Sequence, residues 1–318
     1  MTDLSLALLV WGLVATVVAS VLGALLYPLV RRVSAGLSPS LRSSVRLAYV
    51  IVGPAAVWLA LVVVSEPRLS SVFVPPHCHG ELCGLHAPVY AHDSMIMLLL
   101  AALSSVVLMG LLALLLWALR RGQNQLRVLR LFTRPSGGGY RTLDSPELMA
   151  FCAGLWRPEV VLSQGLIAQL QPVELDIVLA HERAHCARYD NARLLLARWF
   201  TLLWPARLGN QVRSDIRADA EQACDLAAAR WAQGTAPVAH AIRTLSALPA
   251  RAASNSNRTG VGFDCGDAAG RLAALESGYA ARGSVLAPGT AFTCLAAYWC
   301  AHLCILTVLA HRTIEWWG

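Results

Sequence analysis

Two histidines four residues apart, with a glutamate directly after the first, occur in the segment VLAHERAHCARYDN at residues 178–191. Residues i and i+4 lie on one face of an α-helix, so His181 and His185 would present their imidazoles to one point. Two imidazoles with this spacing suit Zn²⁺. Glu182 would lie beside the metal, where it could take a proton from a metal-activated water and deliver it to a leaving amine. The pattern predicts zinc-dependent hydrolysis; the alternative is a solvated helix face that happens to carry two histidines.

A catalytic zinc ion needs a third protein ligand and one open coordination position. The candidate is Glu221, in the later segment DAEQACDLAAA, with Asp225 on the same helix face. We assign Glu221 to the metal and Asp225 to an outer position, where a carboxylate orients a ligating histidine through its other ring nitrogen. Asp190, five residues after His185, is expected either to anchor a histidine similarly or to end the helix. The alternatives are a surface carboxylate for Glu221, and a salt bridge or helix cap for Asp225 and Asp190.

An extended segment at 152–162 precedes the predicted zinc helix. In zinc peptidases an edge strand beside the metal binds the substrate as an added strand. Part of this segment is assigned that role, and a core strand that meets no substrate is the alternative. His240, on a later helix, is a candidate donor to an oxyanion, with a structural histidine as the alternative. Helices are predicted at 164–170, 173–188, 214–231 and 237–248, a core or membrane-facing helix at 193–205, and a loop at 250–267.

The composition indicates a membrane protein. Of the 318 residues, 56% are hydrophobic and 14% are charged, whereas soluble domains carry about 25% charged residues. The net charge of +7 would suggest nucleic acid in a soluble chain. Here the arginines flank apolar blocks, so we expect contact with the lipid bilayer and no direct nucleic-acid binding. Four blocks approach or exceed the roughly 20 residues that cross a bilayer, at about 4–30, 47–65, 95–119 and 288–310.

The charges of the connecting loops predict the orientation. Arginines are frequent between the first two spans and after the third, whereas the loop 66–94 carries one arginine and three acidic residues. The positive-inside rule then places the loop 66–94 and both termini outside, and the domain at 120–287 in the cytoplasm. The predicted fold is a mainly α membrane protein, with four transmembrane helices and an inserted cytoplasmic α+β zinc metallopeptidase domain. Its parts are three spans in 1–119, the inserted domain at 120–287, and the fourth span with a short external tail at 288–318.

The predicted outer loop contains the sequence PPHCHGELCGLHAPVYAHD. An oxidising exterior favours a disulfide between Cys78 and Cys83. The alternative is a copper or zinc site that also uses His77 and His79. The two possibilities exclude each other at the sulfur atoms, because a ligating thiol must be reduced.

Four segments resemble, in order, the membrane metallopeptidase domain of BlaR/MecR-type antirepressors, which are gluzincin-like HExxH peptidases: FCAGLWRPEVVLSQGLIAQL, LDIVLAHERAHCARYDN, LLWPARL and EQACDLAAA. The resemblance implies that His181, His185 and Glu221 bind one zinc ion and that Glu182 is the general base. In that family the peptidase cleaves a cytoplasmic repressor, or itself, after an external signal. The β-lactam receptors of the family carry a penicillin-binding sensor after the fourth span. Only about eight residues follow it here, so we expect no such sensor.

The sequence therefore predicts a zinc-dependent membrane metalloendopeptidase for regulated proteolysis. The expected substrate is the chain itself or a cytoplasmic protein, with a winged-helix transcriptional repressor as the candidate. Two other functions stay open at this point. One is a signalling or scaffold protein whose zinc site is structural or inactive, and the other is a general quality-control protease of membrane proteins.

Overall fold

A computed structural model describes residues 2–79, 82–84, 95–247, 261–262, 268–276 and 288–317. Four of the described helices are long and apolar enough to cross a membrane. They confirm the predicted fold class, a mainly α membrane protein with an inserted domain that contains a small sheet. In chain order the helices are α1 (Thr2–Ser34), α2 (Pro39–Ser65), α3 (Pro67–Ser70), α4 (Met95–Phe132), α5 (Gln164–Gln169), α6 (Pro172–Arg188), α7 (Asp190–Phe200), α8 (Ala206–Trp231), α9 (Thr235–Ala247), α10 (Ala268–Glu276) and α11 (Pro288–Trp317).

The membrane helices α1, α2, α4 and α11 are longer than the apolar blocks that predict them. Helix α4 continues past Leu119 through two arginines to Phe132, because hydropathy marks the bilayer boundary while the backbone hydrogen bonds of a helix can continue into water. Helix α2 is central: 56% of its most apolar stretch is buried, against 11% for α4. It packs against α1 and α11 and also against α7 and α8 of the inserted domain.

The strands form a short hairpin and a separate five-stranded sheet. They are β1 (His77–His79), β2 (Leu82–Gly84), β3 (Thr133–Pro135), β4 (Arg141–Leu143), β5 (Ala150–Ala153), β6 (Glu159–Ser163) and β7 (Val261–Gly262). Strands β1 and β2 pair with each other, and the larger sheet has the order β3-β4-β6-β5-β7. The single extended segment expected at 152–162 is therefore two antiparallel strands, β5 and β6. The chain reverses after Gly154, whose φ of 105° is a conformation that glycine adopts without steric cost.

The sheet supports the helix that carries the two histidines. Helix α6 packs on β5 and β6, and its apolar side forms one core with the strand residues. Val178 and Leu179 of α6 meet Val160 and Leu162 of β6 there. This packing fixes α6 against the sheet and turns its polar face toward α8.

The apolar segment 193–205 joins the inserted domain to the membrane helices. It forms most of α7 and the turn that follows, and Ala197 and Trp204 are buried against Tyr27 of α1 and Tyr49 of α2. The sequence predicts either a core helix or a membrane-facing helix for this segment. In the structure this segment lies in a shared core between the two parts. The loop predicted at 250–267 lies outside the described residues, except for β7.

Candidate metal centre

The residues at both ends of helix α6 explain where this helix begins and ends. Pro172 occupies its first turn, where a missing N–H costs nothing. Glu174 accepts a hydrogen bond from the backbone N–H of Gln171 at 3.0 Å. The helix ends at Arg188, and the next residue, Tyr189, adopts the left-handed conformation with φ 55°. The chain therefore turns sharply, and α7 begins at once with Asp190.

This turn places two side chains of α7 against the elements around the site. Asp190 returns toward α6, where its Oδ2 lies 2.9 Å from Nδ1 of His185. Asn191 donates hydrogen bonds from Nδ2 to the carbonyl oxygens of Cys152 and Gly154, at 2.9 and 3.1 Å. The same turn thus orients a histidine and holds the end of β5, the strand beside α6.

His181, His185 and Glu221 converge at one point. Nε2 of His181 and Nε2 of His185 lie 3.1 Å apart, and each is 3.4 Å from one carboxylate oxygen of Glu221. One ligand atom from each of the three residues lies within 4.8 Å of the others. All three side chains are buried. The structure therefore brings together the three residues that the sequence assigns to the metal.

Each histidine also faces an outer carboxylate through its other ring nitrogen. Nδ1 of His181 lies 3.0 Å from Oδ1 of Asp225, and Nδ1 of His185 faces Asp190 as described above. A carboxylate in this position fixes the orientation of the ring and keeps the proton on Nδ1. The Nε2 lone pairs are then directed at each other and at Glu221.

This donor set fits a divalent cation. Two nitrogen lone pairs and a carboxylate, held within about 3.5 Å by buried anchors, repel one another unless a positive charge lies between them. Two neutral imidazoles and a carboxylate are typical ligands of a catalytic zinc ion, which keeps one further position open. The fit rests on these contacts between side chains of α6 and α8.

The titration of the same groups reflects the local charge. Burial alone would lower the pKa of His181, but hydrogen bonds with Asp225 and Glu221 raise it above its ordinary value. Burial also opposes charge on His185, whose pKa is raised by Asp190 and Glu221 among others. Burial would raise the pKa of Glu221, yet the two imidazoles hold it well below its usual range. Without a metal the site thus attracts protons, and a metal ion would compete with them.

Glu182 occupies the position next to His181 on α6 and is completely buried. A buried carboxylate next to two histidines that could hold a metal is suited to proton transfer from a metal-activated water. The proposed role of Glu182 depends on this position and on the HExxH spacing.

Arg271 is a residue of the site that the sequence analysis missed. It lies on α10, is 2% exposed, and contacts both oxygens of Asp225 at 2.9 and 2.5 Å. Its Nη1 also lies 3.4 Å from Glu221. Arg271 therefore partly balances two buried carboxylates. It is 46 residues from Asp225 and belongs to no local motif, so no spacing rule reveals it.

Other groups named from the sequence lie apart from the metal ligands. His240 is 73% exposed, and its Nε2 is 3.6 Å from Glu174 in the first turn of α6, so its position gives no support to a role at an oxyanion. Cys78 is disulfide-bonded and stands opposite Cys83 in the β1–β2 pairing. The side chains of Cys83, His77 and His79 lie outside the described part of the structure.

Cys224, which the sequence does not assign to the metal, lies close to the candidate ligands. Sγ of Cys224 is 3.7 Å from Oδ2 of Asp190, and Cys224, Asp190 and His185 form a second cluster of ligand-type atoms. Burial raises the pKa of Cys224 to about 11, so the thiol is neutral at neutral pH while no metal is bound. Cys224 thus borders the carboxylate that orients His185.

The fold and these groups define a multi-pass membrane protein with a buried site of the metallopeptidase type. Residues 94–234 match the family model described as BlaR1 peptidase M56. The match spans α6 and the part of α8 that carries Glu221, and it confirms the resemblance to the BlaR/MecR-type peptidases. Neither the curated proteins nor the solved structures gave a match to this chain. The family and the site together support a membrane protease.

Proposed function

We propose that this protein is a zinc-dependent endopeptidase of a bacterial inner membrane, with one Zn²⁺ held by His181, His185 and Glu221. The observation that carries the proposal is the convergence of two Nε2 atoms and a carboxylate, each histidine anchored by a second carboxylate. A structural zinc site normally uses four protein ligands. Three ligands beside a buried glutamate are what a hydrolytic site requires.

The residues of the chain then have distinct roles. A zinc ion bound here supplies a Lewis acid that polarises the scissile carbonyl and makes water acidic enough to attack near neutral pH. Glu182 takes the proton of the attacking water and delivers it to the leaving amine. Asp225 and Asp190 hold the imidazoles in the orientation and tautomer that expose Nε2.

The substrate is proposed to bind along β5 as an added strand. Strand β5 packs beside α6, and only Phe151 and Cys152 pair with the two residues of β7. The position of β7 supports the chain itself as one substrate, because a segment that follows α9 already lies along the edge where a peptide would bind. A cytoplasmic protein, with a winged-helix repressor as the candidate, is the proposed second substrate. This role requires the inserted domain to face the cytoplasm with both termini outside.

The decisive variant is Glu182→Gln, which keeps the shape of the side chain and removes the base. In full-length protein we expect one zinc ion per chain to remain, while cleavage falls by roughly 10²- to 10⁴-fold. Zinc is measured by elemental analysis. Cleavage is measured by comparing new N-termini in cells that produce the wild-type protein or the variant.

Asp176→Asn is the matched control, since Asp176 is an exposed carboxylate on the same helix and cleavage should stay at the wild-type level. Unchanged cleavage in zinc-loaded Glu182→Gln protein would overturn the proposal and favour an inactive scaffold. Wild-type protein that takes up no zinc would overturn it as well. If Glu182→Gln abolishes the cleavage of one repressor, the function is regulated proteolysis. If it abolishes the cleavage of many membrane proteins, the function is quality control.

A further inference from the structure

The N-terminal end of α2 lies against both helices that supply metal ligands and their anchors. Pro39 to Leu47 precede the apolar part of this helix, and polar side chains of this stretch meet the end of α6, the start of α7 and the middle of α8. The arginines in this stretch, used above to predict orientation, are therefore bound to the inserted domain.

One connection runs from α2 to His185. Arg188, the last residue of α6, donates a hydrogen bond from Nη1 to the hydroxyl of Ser40 at 2.7 Å. Its Nε donates to Oδ2 of Asp190 at 3.1 Å. The same Oδ2 lies 2.9 Å from Nδ1 of His185. A single carboxylate oxygen therefore holds both the metal-ligating ring and the arginine that binds α2.

A neighbouring arginine repeats this arrangement on the other oxygen of Asp190. Nε of Arg193 lies 3.5 Å from Oδ1 of Asp190, and its Nη2 donates to the hydroxyl of Ser43 on α2 at 2.8 Å. Both oxygens of the carboxylate that orients His185 thus face arginines that are attached to α2.

A second connection runs from α2 to the stretch of α8 that contains Glu221. Nε of Arg42 lies 2.5 Å from Oδ1 of Asp219, and Nη1 of Arg46 lies 2.7 Å from Oδ2. Arg42 also donates to Gln222 at 2.6 Å. The side chains of Arg46 and Asp219 are 7% and 3% exposed, so water screens this pair little. Glu221 lies between the two residues of α8 that α2 holds.

We propose that Arg188 and Asp219 are positioning residues through which α2 sets the geometry of His185 and Glu221. Helix α2 is the most buried membrane helix, and its other end leads through α3 to the hairpin that contains Cys78. A displacement of α2 would act on two of the three metal ligands at once. The inference rests on the proposed function, because it assumes that these residues bind a metal.

The test uses the full-length protein in lipid nanodiscs, with Zn²⁺ affinity measured by competition with a chelator and Co²⁺ as a spectroscopic probe. Arg188→Gln and Asp219→Asn should each weaken zinc binding by about threefold to tenfold, less than the roughly 10- to 100-fold typical of partners that touch a ligand directly. The d–d absorption of bound Co²⁺ should also change, since it reports ligand geometry. Asp219→Glu should restore part of the affinity.

The controls are arginines of α7 and α1 for which the described residues show none of these contacts. Arg198→Gln on α7 and Arg32→Gln on α1 remove exposed arginines for which the described part of the chain shows no salt bridge, and zinc affinity should change less than about twofold. Ser40→Ala removes only the hydroxyl that Arg188 binds and is the mild substitution to use if Arg188→Gln does not fold. It should weaken zinc binding in the same direction.

A double-mutant cycle separates positioning from simple attachment of the domain. Because Arg188 acts through Asp190, Arg188→Gln should have little further effect on zinc affinity in an Asp190→Asn background. Additive effects, or wild-type affinity and Co²⁺ spectra in Arg188→Gln, Asp219→Asn and Ser40→Ala, would overturn the inference. If wild-type protein bound neither Zn²⁺ nor Co²⁺, the proposed function itself would fail, so the two failures are distinguishable.

Discussion

Two regions of this protein concentrate residue types that bind metals, and they differ in what surrounds those residues. In the candidate metal centre, His181, His185 and Glu221 are buried and converge at one point. In the β1–β2 hairpin, Cys78 is exposed and its sulfur is already in a disulfide bond. The sequence presents both as dense clusters of potential ligands, and among the described residues the ligand atoms of the first are directed at one point by other buried groups.

The comparison leads us to expect that anchoring, more than the ligand types, makes a metal site. At the metal centre each imidazole has a carboxylate on its second nitrogen, and Asp225 is itself held by Arg271. These contacts fix the rings before a metal binds, so little ordering is required on binding. A two-stranded hairpin is marginally stable in water, and a disulfide that ties it together removes the thiolates a soft metal needs.

The strongest test of this contrast is the loss of a ligand at the metal centre. His185→Ala removes one of three ligands and leaves Asp190 without its imidazole partner. We expect zinc to fall from one ion per chain to well below stoichiometric levels after dialysis, as measured by elemental analysis. His240→Ala, which removes an exposed histidine, should retain the full zinc content. Full zinc content in His185→Ala would show that the metal lies elsewhere.

The parts of this site that the sequence predicts share one property, which is local spacing. His181 with His185, and Glu221 with Asp225, are pairs at i and i+4, so each pair is aligned as soon as its helix forms. That the two helices meet is a matter of tertiary packing, which the resemblance to a known family supplied. Arg271 and Asn191 act across long sequence separations, on Asp225 and on β5, and no local pattern marks them. The strands β3 and β4 were also missed, because three-residue strands carry too little alternation to be recognised.

A smaller effect on metal binding is expected from the carboxylate behind His181. Asp225→Asn retains an oxygen that can accept a hydrogen bond from Nδ1 but removes the negative charge that strengthens the ligand. Zinc affinity should fall by about 10- to 100-fold, measured by chelator competition. Asp144→Asn changes a carboxylate outside the site and is the control. Equal zinc affinity in Asp225→Asn and wild type would mean that this carboxylate has no influence on the metal.

Loss of Arg271 should lower the stability of the fold without changing which residues bind the metal. Arg271→Leu leaves Asp225, which is completely buried, without its two-point partner. Breaking such a buried pair costs on the order of 3–5 kcal/mol, so we expect a clearly lower thermal transition of the zinc-free protein. Arg243→Gln breaks the pair with Glu276, in which both side chains are more than half exposed. Its transition should stay close to that of the wild type, and an equal decrease in both variants would contradict the special role of Arg271.

The smallest effect is expected at the hairpin, where Cys78→Ser should leave the metal centre unchanged. The sulfur of Cys78 is committed to a disulfide, and Cys83 faces it across the strand pair, so Cys78 offers no thiolate while the bond is intact. Zinc content should stay at one ion per chain in both proteins. The sharper measurement titrates Zn²⁺ and Cu⁺ into wild type and variant, before and after mild reduction. A second metal equivalent bound by unreduced wild-type protein and lost in Cys78→Ser would make the hairpin a metal site, and would show that anchoring by buried carboxylates is not required in this protein.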